Sequence, residues 1–297
     1  MNMEKPVGSS SNTLMKAVIY ISLSVLAIAI IIPVTWVFMA SIKQNSEFYG
    51  NPFALPQGFH WQNFVDAWTK ARMGDYFLTS VIITATSLGI LLLVALPAAY
   101  VLSRYKFFGS KFLNAGFMAG LFINVNYIVV PIFLMFVSGD RILNKMFGTS
   151  FFLNNPFVVS VVLASTTLPF TIYLLSGYLA TLPKDYEEAA YVDGAGYFTT
   201  MVRIILPMAK PSIITVILFE FLAYWNEYII SMTMLTDPSG ARTLPVGLLN
   251  LMKAQNAKAE YGQMYAGLVL VMVPTLILYM CVQKKLTQGM TLGGLKG

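Results

Sequence analysis

Apolar residues in this chain run in long stretches rather than in the short alternations of a water-soluble fold. Six stretches approach or exceed the roughly 20 residues that a membrane-spanning helix needs, near 17–40, 77–101, 112–137, 156–180, 212–235 and 263–282. They predict an all-α membrane protein with six transmembrane helices. Residues 1–16 read as an N-terminal tail, residues 181–211 as a polar link, and residues 283–297 as a C-terminal tail. The segment from Met1 to Thr13 has little to bury and is expected to be mobile. The first stretch exceeds the 7–15-residue apolar region of a secretory signal, and no small-residue cleavage site precedes the polar run at Lys43, so it is expected to remain.

Five of the stretches carry an internal proline: Pro33, Pro97, Pro131, Pro169 and Pro274. Proline is simply commoner in membrane helices, or else these helices are bent around a cavity. Ser80, Thr84 and Ser87 share one helical face, as do Ser160, Ala164, Thr167 and Thr171. Such stripes either pack helix against helix or line a polar path.

Composition sharpens the picture. Of the 297 residues, 57% are hydrophobic and 11% are charged, against about a quarter charged in a soluble domain, which excludes a water-soluble globule. One Cys and one His exclude a disulfide framework and a histidine or zinc cluster. The net charge of +6 is scattered in short groups that suit lipid headgroups and form no nucleic-acid-binding stripe. Arg104, Lys106 and Lys111 lie in one short link without an acid, and Lys284 and Lys285 follow the last stretch. This places both termini on the cytoplasmic side of a multi-pass chain, although counting all Lys and Arg gives only a small excess inside.

The link between the fourth and fifth stretches holds most of the chemistry. Pro183 and Lys184, followed by Asp185, Glu187 and Glu188, read as a helix start with acids in the first turn. Asp193 and Gly194 supply a turn, and Ala195 and Gly196 permit close backbone approach. A second short helix follows with Met201, Val202, Ile204, Ile205 and Leu206 on an apolar face; Pro207 is expected to end it, and Pro211 suits the first turn of the fifth stretch. Two small helices at an angle either enter a groove on another protein or seal the membrane boundary.

Glu188, Ala189, Ala190, then Gly194 after three residues, and Ile204, Leu206 and Pro207 after nine more, fill every specified position of the EAA signature. In this the chain resembles the membrane subunits of bacterial ATP-binding-cassette importers. Trp225, Asn226 and Glu227, the run from Thr243 to Gly247, and the ending from Gln288 to Gly297 are similar to the carbohydrate branch, with its maltose-transporter-type permeases. The resemblance implies an importer transmembrane domain in the bacterial inner membrane whose 181–211 loop couples it to a cytoplasmic ATPase. The coupling residues would be Glu187, Glu188, Ala189, Ala190, Asp193, Gly194, Ala195, Ile204, Leu206 and Pro207. It further implies two ATP-binding subunits that hold ATP and magnesium, a second related permease, and an extracytoplasmic sugar-binding protein.

This chain has no GxxxxGK[ST] loop of its own; Gly109, Ser110 and Lys111 form the nearest fragment. No catalytic residue and no metal site is expected. The other classes that fit a membrane bundle are an ion-coupled carrier or channel and an intramembrane enzyme. A carrier would use intramembrane acids, and Glu220 and Glu227, on one face with Tyr224, are the acids within the apolar stretches. That face lines a cavity or a subunit contact, or its acids are neutralised by hydrogen bonds. His60, beside Trp61 in the first external loop, reads as surface, and Cys281 as a small buried residue. For a sugar path, amides, acids and flat rings are needed. The candidates are Asn124 and Tyr127 on one face with Asn126 turned away, together with Thr167, Glu220, Tyr224, Trp225, Asn226 and Glu227.

Overall fold

Stretches this apolar can satisfy their backbone groups without water only by internal hydrogen bonding, and every regular element among the described residues is a helix. The computed structural model describes residues 9–237, 239–258 and 260–293, with side chains over 15–237, 239–254 and 260–283. In chain order the elements are α1 (Ser9–Ser41), α2 (Ser46–Gly50), α3 (Gln62–Thr69), α4 (Met73–Arg104), α5 (Ser110–Gly120), α6 (Val125–Phe147), α7 (Pro156–Leu179), α8 (Asp185–Val192) and α9 (Tyr197–Thr200). A π-helical turn (Met201–Ile205) then leads through α10 (Leu206–Met208) to α11 (Lys210–Trp225), α12 (Ile229–Met234), α13 (Leu244–Lys258) and α14 (Tyr261–Gly293). Among the described residues, five segments are long and apolar enough to cross a membrane: Met15–Ser41, Met73–Arg104, Val125–Phe147, Pro156–Leu179 and Tyr261–Gln283. The pair Tyr197–Met208 and Lys210–Trp225, bent by 75°, makes a sixth if taken as one span.

Several boundaries depart from the sequence expectation, each for a local reason. Residues 9–16, assigned to a tail, belong to α1, and residues 283–293 belong to α14. Once a helix is nucleated, each further residue adds a hydrogen bond at little cost. Residues 1–8 and 294–297 of the two tails lie outside the described residues. The expected helix over 112–137 is broken after Gly120, because the Asn124 side chain accepts the Asn126 N–H at 2.9 Å and restarts the chain as α6. The expected helix over 212–235 is broken at Asn226, and α12 begins beyond it. Pro207 does not end its helix. In the preceding π turn the Leu206 N–H bonds to the Met201 carbonyl, five residues back, and the chain continues past the proline to Met208. Cys281 is exposed on α14 beside exposed Leu276, Ile277, Tyr279 and Met280, a face suited to lipid rather than to a core.

The chain forms two compact units, Met1–Lys70 with Leu251–Leu270, and Ala71–Asn250 with Val271–Gly297. In the first, the Asn63 side-chain amide donates to the Ser41 and Lys43 carbonyls at 2.9 Å each. The buried Lys43 ammonium donates to the Pro52 carbonyl at 2.7 Å and stands 5.6 Å from the centre of the Phe48 ring. In the second, α4 and α7 pack along one another through Leu91, Ala95, Ala99, Leu163, Ile172 and Leu175, all buried. Ser80, Thr84, Ser87, Ser160, Ala164 and Thr171 are buried with them. The Ser87 hydroxyl donates to the Ile83 carbonyl at 2.7 Å, and Ser160 to the Pro156 carbonyl at 2.9 Å. These stripes are therefore contact surfaces, with Thr167 the member that does not follow.

Small residues set the closest approaches. A Cβ on Gly247 would lie 2.2 Å from Cδ2 of the buried Tyr76 ring, whereas one on Gly89 of α4 would meet nothing within 4 Å. Gly247→Ala should therefore destabilise the protein by roughly 1–3 kcal/mol, the usual cost of overpacking. Gly89→Ala should be neutral or slightly stabilising, since alanine is the better helix former. Thermal unfolding of the two variants in one detergent checks the contrast; equal midpoints would contradict it.

Candidate functional site

The EAA-matching segment is α8 and its exit. Asp185, Glu187 and Glu188 occupy the first turn, where the helix dipole favours acids. Glu187 does not face outward. Its Oε1 accepts from Arg104 Nε at 3.1 Å, and the pair is nearly sealed, with the two side chains 3% and 9% exposed. Arg104 is the last residue of α4, and its Nη1 and Nη2 also donate to the Leu182 and Pro183 carbonyls at 2.8 and 3.2 Å. Glu187 thus holds the loop to the bundle. Glu188, Ala189, Asp193 and Gly194 are exposed, while Ala190 is buried and Ala195 partly so.

The exit of α8 is closed by a pair of crossed backbone bonds. Ala195 N–H reaches the Ala190 carbonyl at 2.8 Å and Gly194 N–H the Tyr191 carbonyl at 3.0 Å. This requires the left-handed backbone at Gly194, where φ is 77°, while no atom stands within 4 Å of where its Cβ would be. Behind the turn lies a tyrosine cluster. The Tyr105 and Tyr191 hydroxyls are 2.7 Å apart, those of Tyr100 and Tyr105 3.1 Å, and the Tyr197 ring packs 5.0 Å from that of Tyr105. Burial pushes the Tyr105 phenol up to about 12, so it stays protonated and available as a donor at neutral pH. Of the later signature positions, Ile204 and Leu206 are half-buried and Pro207 is exposed; Met201 and Ile205 are the buried anchors.

A cavity of about 290 Å³ lies where the start of α6, the middle of α7, the end of α11 and the start of α12 come together. Its polar lining comes from Asn126 at the start of α6, Thr166 and Thr167 of α7, Tyr224 of α11, and Asn226, Glu227 and Tyr228 at the break before α12. The break exists because Glu227 caps α12: its carboxylate accepts the Ile230 N–H at 2.6 Å, the Ser231 N–H at 3.1 Å and the Ser231 hydroxyl at 2.8 Å. The Thr167 and Tyr224 hydroxyls bond to each other across the α7–α11 contact. The Asn226 amide donates to the Leu222 carbonyl at 2.8 Å.

Four of the predicted path residues lie elsewhere. Asn124 serves as the cap of α6, and Tyr127 is 81% exposed; neither lines the cavity, which Asn126 does. Asn124 stands before the first turn of α6, so its side chain is occupied by the Asn126 N–H. Trp225 is buried, stacked on Phe221, and donates its indole N–H to the Val271 carbonyl at 3.1 Å. Glu220 is buried away from the cavity lining, with Oε1 accepting from the Thr171 hydroxyl at 3.1 Å and Oε2 without a partner among the described residues. The tyrosine cluster, Thr166 and Tyr228 are not candidates in the sequence, where Arg104 enters only for orientation and Asn126 only as turned away from the path face. Only Arg104 carried a signal, as the first of three cations in a link without an acid.

Residues 92–292 match the family described as the binding-protein-dependent transport system inner membrane component. The chain belongs to that family. Like other members it is a multi-pass membrane component of a transport system. The diacetylchitobiose uptake system permease protein NgcG of Streptomyces coelicolor is 31% identical over 286 residues, 96% of this chain and 91% of that protein. The trehalose/maltose transport system permease protein MalG of Thermococcus litoralis is 28% identical, over 96% of this chain and 98% of that protein. A chain of the bacterial ABC transporter involved in import of the acidic polysaccharide alginate aligns with a TM-score of 0.74 at 22% identity, covering 94% of this chain and 99% of that one. The fold is thus that of an ABC-importer transmembrane domain.

Glu227→Ala removes the cap of α12 and should cost about 0.5–2 kcal/mol locally. Hydrogen exchange at the Ile230 and Ser231 amides should accelerate in this variant while α4 and α7 amides keep their protection. Unchanged exchange would contradict the capping role.

Proposed function

We propose that this chain is one membrane subunit of an ATP-driven importer that carries a sugar or oligosaccharide, delivered by an extracytoplasmic binding protein, into the bacterial cytoplasm. The observation that carries the reading is the exposed end of α8, where Glu188, Ala189, Asp193 and Gly194 face outward while Arg104 and Glu187 brace the helix from behind. A rigid helix tip with small residues and acids on its free side suits insertion into a cleft on another protein. The family's dependence on binding proteins supports the delivery step. Similarity to permeases named for diacetylchitobiose and for trehalose and maltose supports a carbohydrate cargo.

In this reading two cytoplasmic ATPase subunits bind ATP and magnesium, and this chain supplies no catalytic group and no resident metal or cofactor. A second related permease completes the membrane part. The α8 end and both termini face the cytoplasm. Closure of the ATPase pair pushes on α8, and the membrane helices answer by turning the path from one side of the membrane to the other. The cavity bounded by Asn126, Thr166, Thr167, Tyr224, Asn226 and Glu227 is the part of that path which this chain contributes. Its amides and hydroxyls can hydrogen-bond sugar hydroxyls, and the Tyr228 ring can lie against a sugar face. A carrier driven by ion gradients would need a titrating group on the path, but Glu220 lies off the cavity lining and both Glu227 oxygens are engaged in capping.

Gly194→Trp forces a side chain into a left-handed position on the exposed tip and should uncouple the machine. The purified complex should keep its subunits and hydrolyse ATP, while uptake of the oligosaccharide carried by the copurified binding protein falls to background. Wild-type uptake by that variant would refute the coupling role. Uptake by the wild type should persist when proton and sodium gradients are collapsed with ATP still present; its loss would favour the ion-coupled carrier.

A further inference from the structure

The EAA-matching helix has two physical routes into the membrane helices, and they differ in what holds them together. One follows the chain: α8 leads through the Gly194 turn to α9, the π turn and α10, then through a 75° bend at Ala209 into α11. Ala209 N–H reaches the Ile205 carbonyl at 2.9 Å, Ile213 N–H the Ala209 carbonyl at 3.0 Å and the Tyr178 hydroxyl the Met208 carbonyl at 3.5 Å around that bend, while Met201, Ile205 and Ala209 are buried in the core, so among the described residues apolar packing and not an ion pair holds this route. Glycine turns, π turns and sharp bends are where chains flex.

The other route leaves the sequence. Arg104 spreads its planar fork over Glu187 of α8 and over the Leu182 and Pro183 carbonyls that lead into it, with all three bonds between 2.8 and 3.2 Å. Tyr105, the next residue, bonds through its hydroxyl to Tyr191 near the far end of α8. Arg104 and Tyr105 therefore grip α8 at both its first and last turns, and both stand at the foot of α4. That helix packs along α7, which carries Thr166 and Thr167 to the cavity.

We infer that Arg104, seconded by Tyr105, is the positioning residue that makes α8 and α4 move as one body, so that the push of the ATPase reaches the cavity through α4 and α7 rather than through the bend into α11. The inference rests on the importer reading above and adds to it the path of the motion.

The test uses the whole purified complex carrying Cys281→Ser, with spin labels on Asp185→Cys of α8 and Leu93→Cys of α4. In the otherwise unaltered protein the label distance should be the same in the nucleotide-free state and after trapping with ATP and orthovanadate. With Arg104→Gln added, the distance should broaden and shift on trapping, and sugar imported per ATP hydrolysed should drop several-fold. Arg104→Lys, which keeps the charge but not the fork, should fall between the two. If Arg104→Gln fails to assemble, Tyr105→Phe with Tyr191→Phe removes only the far grip and should broaden the trapped-state distance. A distance that changes on trapping without either substitution overturns the inference, as does Arg104→Gln with an unaltered ratio of import to hydrolysis. Cross-linking of Glu188→Cys to an ATPase subunit serves as the separate check on the importer reading; its absence in the assembled complex would overturn that reading and this one with it.

Discussion

An N–H or carbonyl left unpaired in hydrocarbon costs several kcal/mol, so each interruption of a membrane helix has to bring its own hydrogen-bonding partner. Two interruptions in this chain show how that is done. Asn124 turns its carboxamide onto the Asn126 N–H where α5 gives way to α6. Glu227 gathers the first free amides of α12. At α8, outside the apolar stretches, the crossed bonds at Gly194 close a helix end in the same way. The cavity lies where the first two of these breaks meet, which is why polar atoms are available there at all. A run of unbroken helices with this composition would present only apolar side chains to whatever passed between them.

A different problem is solved at the other end of α4. An arginine and a glutamate removed from water gain stability only when their remaining hydrogen-bonding capacity is filled, and here two backbone carbonyls fill it on the arginine side. Lysine could match the charge but could not span three acceptors in a plane. Burial of this pair separates the acids of α8 by task. Glu187 is spent on internal attachment, while Glu188, one residue on, is exposed. The two neighbours on a helix point about 100° apart, so a single turn can be both anchored and presented.

Helix content was legible from the length of the apolar stretches, and the EAA spacing was legible because its positions are close together in sequence. The breaks were not. Phe122 and Ile123 on one side of Asn124 look like Val125 on the other, and nothing in hydropathy distinguishes an asparagine that caps from one that faces a path. The break leaves Asn124 occupied as the cap of α6, Tyr127 exposed and Asn126 on the cavity. Glu227 was legible as an acid in an apolar stretch, but its task became clear only with the amides it meets three and four residues later. Arg104 and Glu187 stand 83 residues apart, and no local pattern pairs them.

The π turn at Met201–Ile205 holds one residue more than an α-helical turn would. In such a bulge the surplus residue is taken up locally, so the helix on either side keeps its facing. The stretch that holds it is anchored by the buried Met201 and Ile205 side chains. The irregular turn is in this sense slack stored at the membrane's edge: the chain can lose that one residue there by returning to regular geometry without turning Tyr224 from Thr167 or Glu220 from Thr171.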